Sequence, residues 1–206
     1  DGIRDLVRSR GLGDVYKRQS IKDIIIQTSL KYLQLVPAKI DLTGAEIELV
    51  PMISRELKLK NALEGIRDNF DYIIIDCPPS LSLLTINALS ACDSVIVPVQ
   101  TEYYALEGIS LLLDTIELIK ANLNPELKIE GILLTMYDSR TNLGVQVSDE
   151  VKEFFKDKVF QTIIPRNVRL SEAPSFGKPI ILYDYNSKGA HGYLSFAKEI
   201  IKGKGR

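Results

Sequence analysis

Two apolar runs, Tyr72-Ile73-Ile74-Ile75 and Val95-Ile96-Val97-Pro98-Val99, constrain the fold more than any other feature of the chain. Both are continuous rather than alternating, the pattern of strands buried on both faces, and such strands belong to parallel sheets covered by helices on each side. From Tyr32 onward short apolar runs alternate with helical periodicity, the signature of βα units. The predicted strands are residues 33–36, 72–75, 94–99, 129–135 and 159–164. Between them Ala105, Ile109, Leu112, Ile116 and Ile119 share one helical face, Val147, Val151, Phe154 and Phe155 a second, and Tyr193, Phe196, Ala197 and Ile200 a third. The expected fold class is α/β, a doubly wound and mostly parallel sheet with helices on both faces. A length of 206 residues at 45% hydrophobic content suffices for one sizeable core, and no repeat, low-complexity tract or linker divides it.

Charge decides little. Lys plus Arg (26) nearly balances Asp plus Glu (27), so any hold on a polyanion must come from a local patch. Cys77 and Cys92 lack metal-site spacing and are read as reduced thiols, while a single histidine, His191, leaves no Cys/His cluster for zinc. No apolar run approaches the ~20 residues that span a bilayer, and no signal-peptide core is seen, so a cytoplasmic protein without a membrane partner is expected.

Asp71-Tyr72-Ile73-Ile74-Ile75-Asp76-Cys77-Pro78-Pro79-Ser80 is the most informative string. Ligands of open α/β sheets sit beyond the carboxyl ends of the strands, so Asp76 is placed at a candidate site, where nucleotide hydrolases use an aspartate to organise Mg²⁺. An aspartate in that place can also do no more than cap the next helix. The two prolines remove two donors and fix two φ angles, giving a stiff turn (Cys77, Pro78, Pro79) suited to relaying the presence of a γ-phosphate. Cys77 as a nucleophile lacks a neighbouring base, and no G-x-S-x-G elbow exists.

At this point the chain resembles the ParA/Soj partition ATPases, deviant P-loop enzymes, over nearly all of residues 20–202. The resemblance is carried by Leu42-Thr43-Gly44-Ala45-Glu46-Ile47-Glu48-Leu49, by Asp76-Cys77-Pro78-Pro79-Ser80-Leu81 with Leu84-Thr85-Ile86-Asn87-Ala88-Leu89, by Glu102-Tyr103-Tyr104-Ala105-Leu106-Glu107-Gly108, and by Ile164-Pro165-Arg166-Asn167-Val168-Arg169-Leu170-Ser171-Glu172-Ala173-Pro174-Ser175. It implies an ATPase with ATP and Mg²⁺ as cofactors. Asp76 would then serve catalysis and the metal, through water, with Pro165, Arg166, Asn167 and Met136 framing the base and ribose. It also implies a homodimer formed around ATP, non-specific DNA gripped by Arg140 and Arg169, release by a ParB/Spo0J-like centromere-binding partner, and association with the nucleoid. Either arginine can equally be a solvated charge in a local ion pair. Glu102, Tyr103 and Tyr104 are expected to shape a dimer or partner face, and His191 to lie on a helix surface.

The departure from the family pattern is the glycine-rich loop K-G-G-x-G-K-T. Gly177-Lys178 and Gly203-Lys204 are followed by Pro and Gly, not by Ser or Thr. Two βα units of about 30 residues each are expected to be lacking. Residues 1–19 read as a foreign leader, because Asp14-Val15-Tyr16-Lys17-Arg18-Gln19 looks like a translated transposase end. Residues 20–206 are then the C-terminal part of one ATPase domain, itself inactive. The alternatives are a MinD-like cell-division-positioning ATPase and a non-enzymatic DNA-binding or regulatory module without a P-loop.

Overall fold

The computed structural model describes residues 20–38, 42–78, 80, 82–102 and 105–203. The expected leader and the expected roles of Pro79, Tyr103 and Tyr104 fall outside these residues. The chain divides into two compact units, Asp1–Asp93 with Thr115–Leu127, and Ser94–Asp114 with Lys128–Arg206.

In the first unit, β1 (Ile26–Gln27) pairs antiparallel with β2 (Gln34–Leu35). A longer strand at 33–36 was expected, yet Leu33 and Leu35 are about half exposed and offer no apolar face to extend it. The hairpin is instead tied by side chains. The Gln27 amide donates to the Leu30 and Leu33 carbonyls at 3.0 and 3.2 Å, and the Thr28 hydroxyl donates to Leu33 O at 2.7 Å.

Helices α1 (Leu42–Leu49), α2 (Lys58–Glu64) and α3 (Leu83–Ala91) follow. Ile21, Ile24, Leu59, Leu63, Ile66 and Ala88 form the main core of this unit, with Phe70 and Ile75 packed against it. Asn87 lies fully buried inside α3 and locks the start of α2. Its Oδ1 accepts the Leu59 N–H at 3.1 Å, while its Nδ2 donates to the carbonyls of Arg55 at 2.8 Å and Leu83 at 3.0 Å. Asn124 fastens the other end of α3 by donating to the carbonyls of Leu89 (2.9 Å) and Cys92 (2.8 Å), two of the groups a helix terminus leaves open.

The strand expected at 72–75 does not form. Among the described residues this segment joins no ladder, and its side chains behave accordingly: Ile74 is 90% exposed and Ile73 38%, while Ile75 reaches the core. A run this apolar is a strand only where neighbours satisfy its backbone, and among the described residues of this unit the one ladder is the β1–β2 hairpin.

In the second unit, β3 (Ser94–Gln100) and β4 (Lys128–Thr135) pair in parallel through the connecting helix α4 (Ala105–Asn122), with Val97 opposite Ile132 and Gln100 opposite Thr135. Both strands fall within a residue of their predicted bounds, and the helix contains all five residues expected to share its face. β4 is covered on both faces. Ile132 and Leu134 join Val97, Val99 and Ile109 with Val147 and Val151 of α5 (Asn142–Phe155), whereas Leu133, pointing the other way, joins Ile164 and Phe196. Phe196 belongs to α8 (Lys188–Gly203), which follows the short α6 (Val168–Glu172) and α7 (Ile180–Tyr183). Each fully buried Ile or Leu contributes about 1.5–3 kcal/mol.

Three expectations are corrected in this unit. β3 alternates, with Val97 and Val99 buried but Ile96 and Pro98 exposed, so it is covered on one face only; a proline without N–H is tolerated there because β3 is an edge strand of this sheet among the described residues. Phe154 is 72% exposed, and Phe155 turns inward in its place. The strand at 159–164 is interrupted. Val159 bridges Ile132, and the N–H groups of Phe160 and Ile164 donate to Ile132 O and Leu134 O at 3.0 and 2.9 Å, but between them Gln161 and Thr162 give their N–H groups to the Glu199 carboxylate at 2.7 and 2.9 Å. A side chain of α8 thus takes donors that a regular ladder would use. Gly131 of β4 is required by close approach, since a Cβ there would sit 2.6 Å from the Phe160 ring.

Candidate functional site

The carboxyl ends of β4 and of the 159–164 segment are joined by backbone. Tyr137 bridges Pro165 in parallel, the Tyr137 N–H donates to Ile164 O at 3.2 Å, and the Arg166 N–H donates to Tyr137 O at 2.9 Å. This junction brings together Met136, Pro165, Arg166 and Asn167, four residues proposed from sequence to frame a nucleotide base. Met136 has φ 55°, left-handed backbone that a non-glycine residue adopts at a cost. Such strain concentrates at ligand sites. Asn167 caps α6, its side-chain oxygen accepting the Arg169 N–H at 3.0 Å, so its turn-forming role is realised.

Arg166 is held from a distance in sequence. Its guanidinium donates to Glu102 Oε1 at 2.6 Å, across 64 positions. Sequence reading assigned Glu102 to a dimer or partner face, and nothing in the local pattern signals this pairing.

Arg140 and Arg169 are both engaged by acids. Arg140 forks onto Asp138, with Nε on Oδ1 at 2.9 Å and NH2 on Oδ2 at 2.7 Å, and its own N–H donates to Oδ1 at 3.0 Å. These bonds hold the Asp138 carboxyl far below the usual carboxylate range, with the charge of Arg166 adding a smaller pull. The same loop is locked by Thr141, whose hydroxyl donates to Asp138 O at 2.9 Å and accepts the Gly144 N–H at 3.2 Å to cap α5. Gly144 has no room for a side chain: a Cβ would meet Thr141 Oγ1 at 2.8 Å and Asp138 O at 3.0 Å. Arg169 donates to Glu172 at 2.9 Å and lies 3.4 Å from Asp184, while the Tyr183 hydroxyl donates to Glu172 at 3.0 Å. Arg169 and then Tyr183 lower the Glu172 carboxyl. The local-ion-pair reading of both arginines therefore describes their geometry.

Asp76, in the first unit, stands exposed outside helix and strand, as do Cys77 and Pro78. It does not cap the following helix, because α3 starts at Leu83 behind Ser82, and the Thr85 hydroxyl donates to Ser80 O at 2.6 Å at that end. Cys77 is open at the surface, but its sulfur lies 3.8 Å from Ile75 O, and desolvation followed by the Asp76 charge raises its thiol. Burial pushes Cys92 up to about 11. Both shifts favour the neutral thiol. Among the described residues no group of three His, Cys, Asp or Glu side chains could hold a metal unaided. Mg²⁺ does not demand one, since it binds through one or two carboxylates plus substrate phosphates and water, and the Asp76 carboxylate fits that donor set. His191 is an exposed residue of α8, with its ring 6.1 Å from Tyr185.

Parallel strands with helices packed on both faces of β4 define an α/β protein, and the solved structures it resembles are of the P-loop NTPase-like class. The fold matches that of cobyrinic acid a,c-diamide synthase from Mycobacterium smegmatis with bound ATP analogue and magnesium, at a TM-score of 0.81 and 35% identity, over 96% of this chain and 75% of that one. Residues 4–129 match the AAA domain family AAA_31. In sequence the chain is 66% identical to the sporulation initiation inhibitor protein Soj of Bacillus subtilis, over 86% of this chain and 70% of that protein. It is 60% identical to the chromosome partitioning protein ParA of Myxococcus xanthus, over 88% of this chain and 64% of that protein. The chain belongs to the ParA/Soj family of chromosome-partitioning proteins, and it spans about two thirds of the length of these relatives.

Proposed function

We propose that the full-length protein is an ATP-dependent DNA-partition ATPase, which pairs two subunits around nucleotide, holds DNA non-specifically in that state, and lets go when a ParB-like partner stimulates hydrolysis. One observation carries the DNA-gripping part. The Tyr137–Pro165 bridge ties the strand end that leads to the Arg140 loop to the strand end that leads to Arg169, which lies not in a loop but in the first turn of α6, and the strained Met136 adjoins the bridge. Guanidinium groups so arranged bind phosphate oxygens without reading sequence, giving salt-sensitive retention and, in a cell, association with the nucleoid.

The nucleotide part rests on relatedness and on the residues present. Mg²⁺-bound ATP supplies the phosphoanhydride to be cleaved. Pro165, Arg166, Asn167 and Met136 would hold the base, Asp76 would orient the waters of the metal, and the Cys77-Pro78-Pro79 segment would follow the state of the phosphates. The cradle for those phosphates is not in this sequence, where neither Gly-Lys pair is followed by Ser or Thr. Without that cradle, the present chain alone binds ATP weakly.

Equilibrium binding of ATP to the full-length product tests this reading. Affinity should depend on magnesium, and Asp76→Ala should remove most of that dependence and most phosphate release. Magnesium-independent affinity, or unchanged turnover in the variant, overturns the assignment. Arg140→Glu should abolish DNA retention at low salt while nucleotide-dependent dimerisation persists; loss of both would mean that this loop belongs to the dimer.

A further inference from the structure

Arg140 and Arg169 carry no net positive field as the molecule stands. Arg140 and Asp138 form a neutral bidentate pair, and Arg169 with Glu172 and Asp184 makes a group with one net negative charge. Carboxylate and phosphate are rivals for a guanidinium, because both take the same two parallel N–H bonds. The Asp138 carboxylate already uses both oxygens on Arg140.

We propose that Asp138 and Glu172 are masking counter-ions, which occupy the phosphate-binding forks of Arg140 and Arg169, so that DNA must displace a carboxylate for each arginine it gains. The inference rests on the DNA-binding reading above and adds to it the residues that set its threshold. Both masks are built to stay in place when unpaired. Asp138 Oδ1 also accepts the Arg140 backbone N–H, and Glu172 is held by the Tyr183 hydroxyl. The acids therefore remain beside the bound phosphate and weaken the grip. A protein masked in this way binds DNA reversibly, and a modest change at the loop is enough to release it.

The test measures retention of a short duplex by the ATP-loaded full-length protein across a salt series. Asp138→Asn removes the charge but keeps an oxygen for the Arg140 N–H, and Glu172→Gln keeps an acceptor for Tyr183. Each should tighten binding roughly two- to five-fold, the range that an exposed ion pair allows. Each should also steepen the slope of log affinity against log salt by up to about one. In an Arg140→Gln background the gain from Asp138→Asn should vanish. Unchanged or weaker binding by both variants, or a gain that persists without Arg140, overturns the proposal. So does loss of fold in both by circular dichroism, which would make the acids structural. A different failure separates the two readings: if Arg140→Glu itself retains DNA as the parent does, the DNA interface is misplaced, and the masking idea falls with it.

Discussion

The strand-end junction of the second unit and the Asp76 segment of the first were read from the same kind of signal, an apolar run ending in polar residues, yet the structure builds them differently. At the junction, Met136 to Arg166 are pinned by backbone pairing above a strand covered on both faces. At Asp76 the approach lies outside any ladder and is open, with Ile74 90% exposed and Ile75 reaching the core. An apolar run specifies where a strand can go. Whether it becomes one depends on partners at its edges, and those are not encoded in the run.

The comparison breaks or holds first on isoleucine. Ile132, 0% exposed in β4, and Ile74 occupy similar runs. Ile132→Ala should cost about 2–5 kcal/mol in urea unfolding through lost burial and the cavity left behind. Ile74→Ala should stay within about 0.5 kcal/mol, as exposed substitutions do. Equal losses would mean that the 72–75 segment is packed in solution.

Asn87 sharpens the contrast from the other side, because the first unit is locked by a buried amide where the second uses a sheet. Asn87→Ala removes the bonds to the Leu59 N–H and the Arg55 carbonyl. A loss of about 1–3 kcal/mol is expected. A near-neutral result would show that α2 and α3 hold together through apolar packing alone.

Much of this was legible in the sequence. β3 and β4 lie within a residue of their predicted bounds, and α4 holds the five residues expected on its face. Met136, Pro165, Arg166 and Asn167 were named from sequence, and the structure brings them together. The failures share a cause, which is that they depend on residues distant in the chain. Glu199 of α8 interrupts the 159–164 segment from 37 positions away, and Glu102 reaches Arg166 across 64. The exposed face of β3 follows from what does not lie beside it in the described sheet, although Pro98 was a local hint of an edge. Asp138 sits two residues from Arg140 and was within reach of the ion-pair reading already made for that arginine.

Glu199 offers a test by pH. Burial raises its carboxyl, but the Thr162 side chain followed by the N–H donors of Gln161 and Thr162 outweighs burial, so the net shift is downward from 4.5. A depressed carboxyl stabilises the fold above its unfolded value and loses that contribution as pH falls through the folded one. Stability should therefore decline below about pH 4.5, starting from its ordinary value, and Glu199→Gln should flatten that limb. At neutral pH the substitution should cost about 1 kcal/mol, since Gln keeps one acceptor for two donors. An acid limb unchanged by Glu199→Gln would show that the interruption of the strand has another origin.

The smallest effect is expected at the Glu102–Arg166 pair, and its smallness is informative. Both side chains are about half exposed, at 56% and 50%, so solvent and salt screen the 2.6 Å contact. A double-mutant cycle with Glu102→Gln and Arg166→Gln should give a coupling of about 0.2–1 kcal/mol in low salt that shrinks as salt is added. The backbone bonds of Tyr137 hold the junction without it. A coupling well above 1 kcal/mol that survives high salt would mean that the pair is desolvated in solution. The strand-end junction would then owe its order to this long-range ion pair rather than to backbone pairing, and its contrast with the open Asp76 segment would have to be redrawn as one between a clamped loop and an unclamped one.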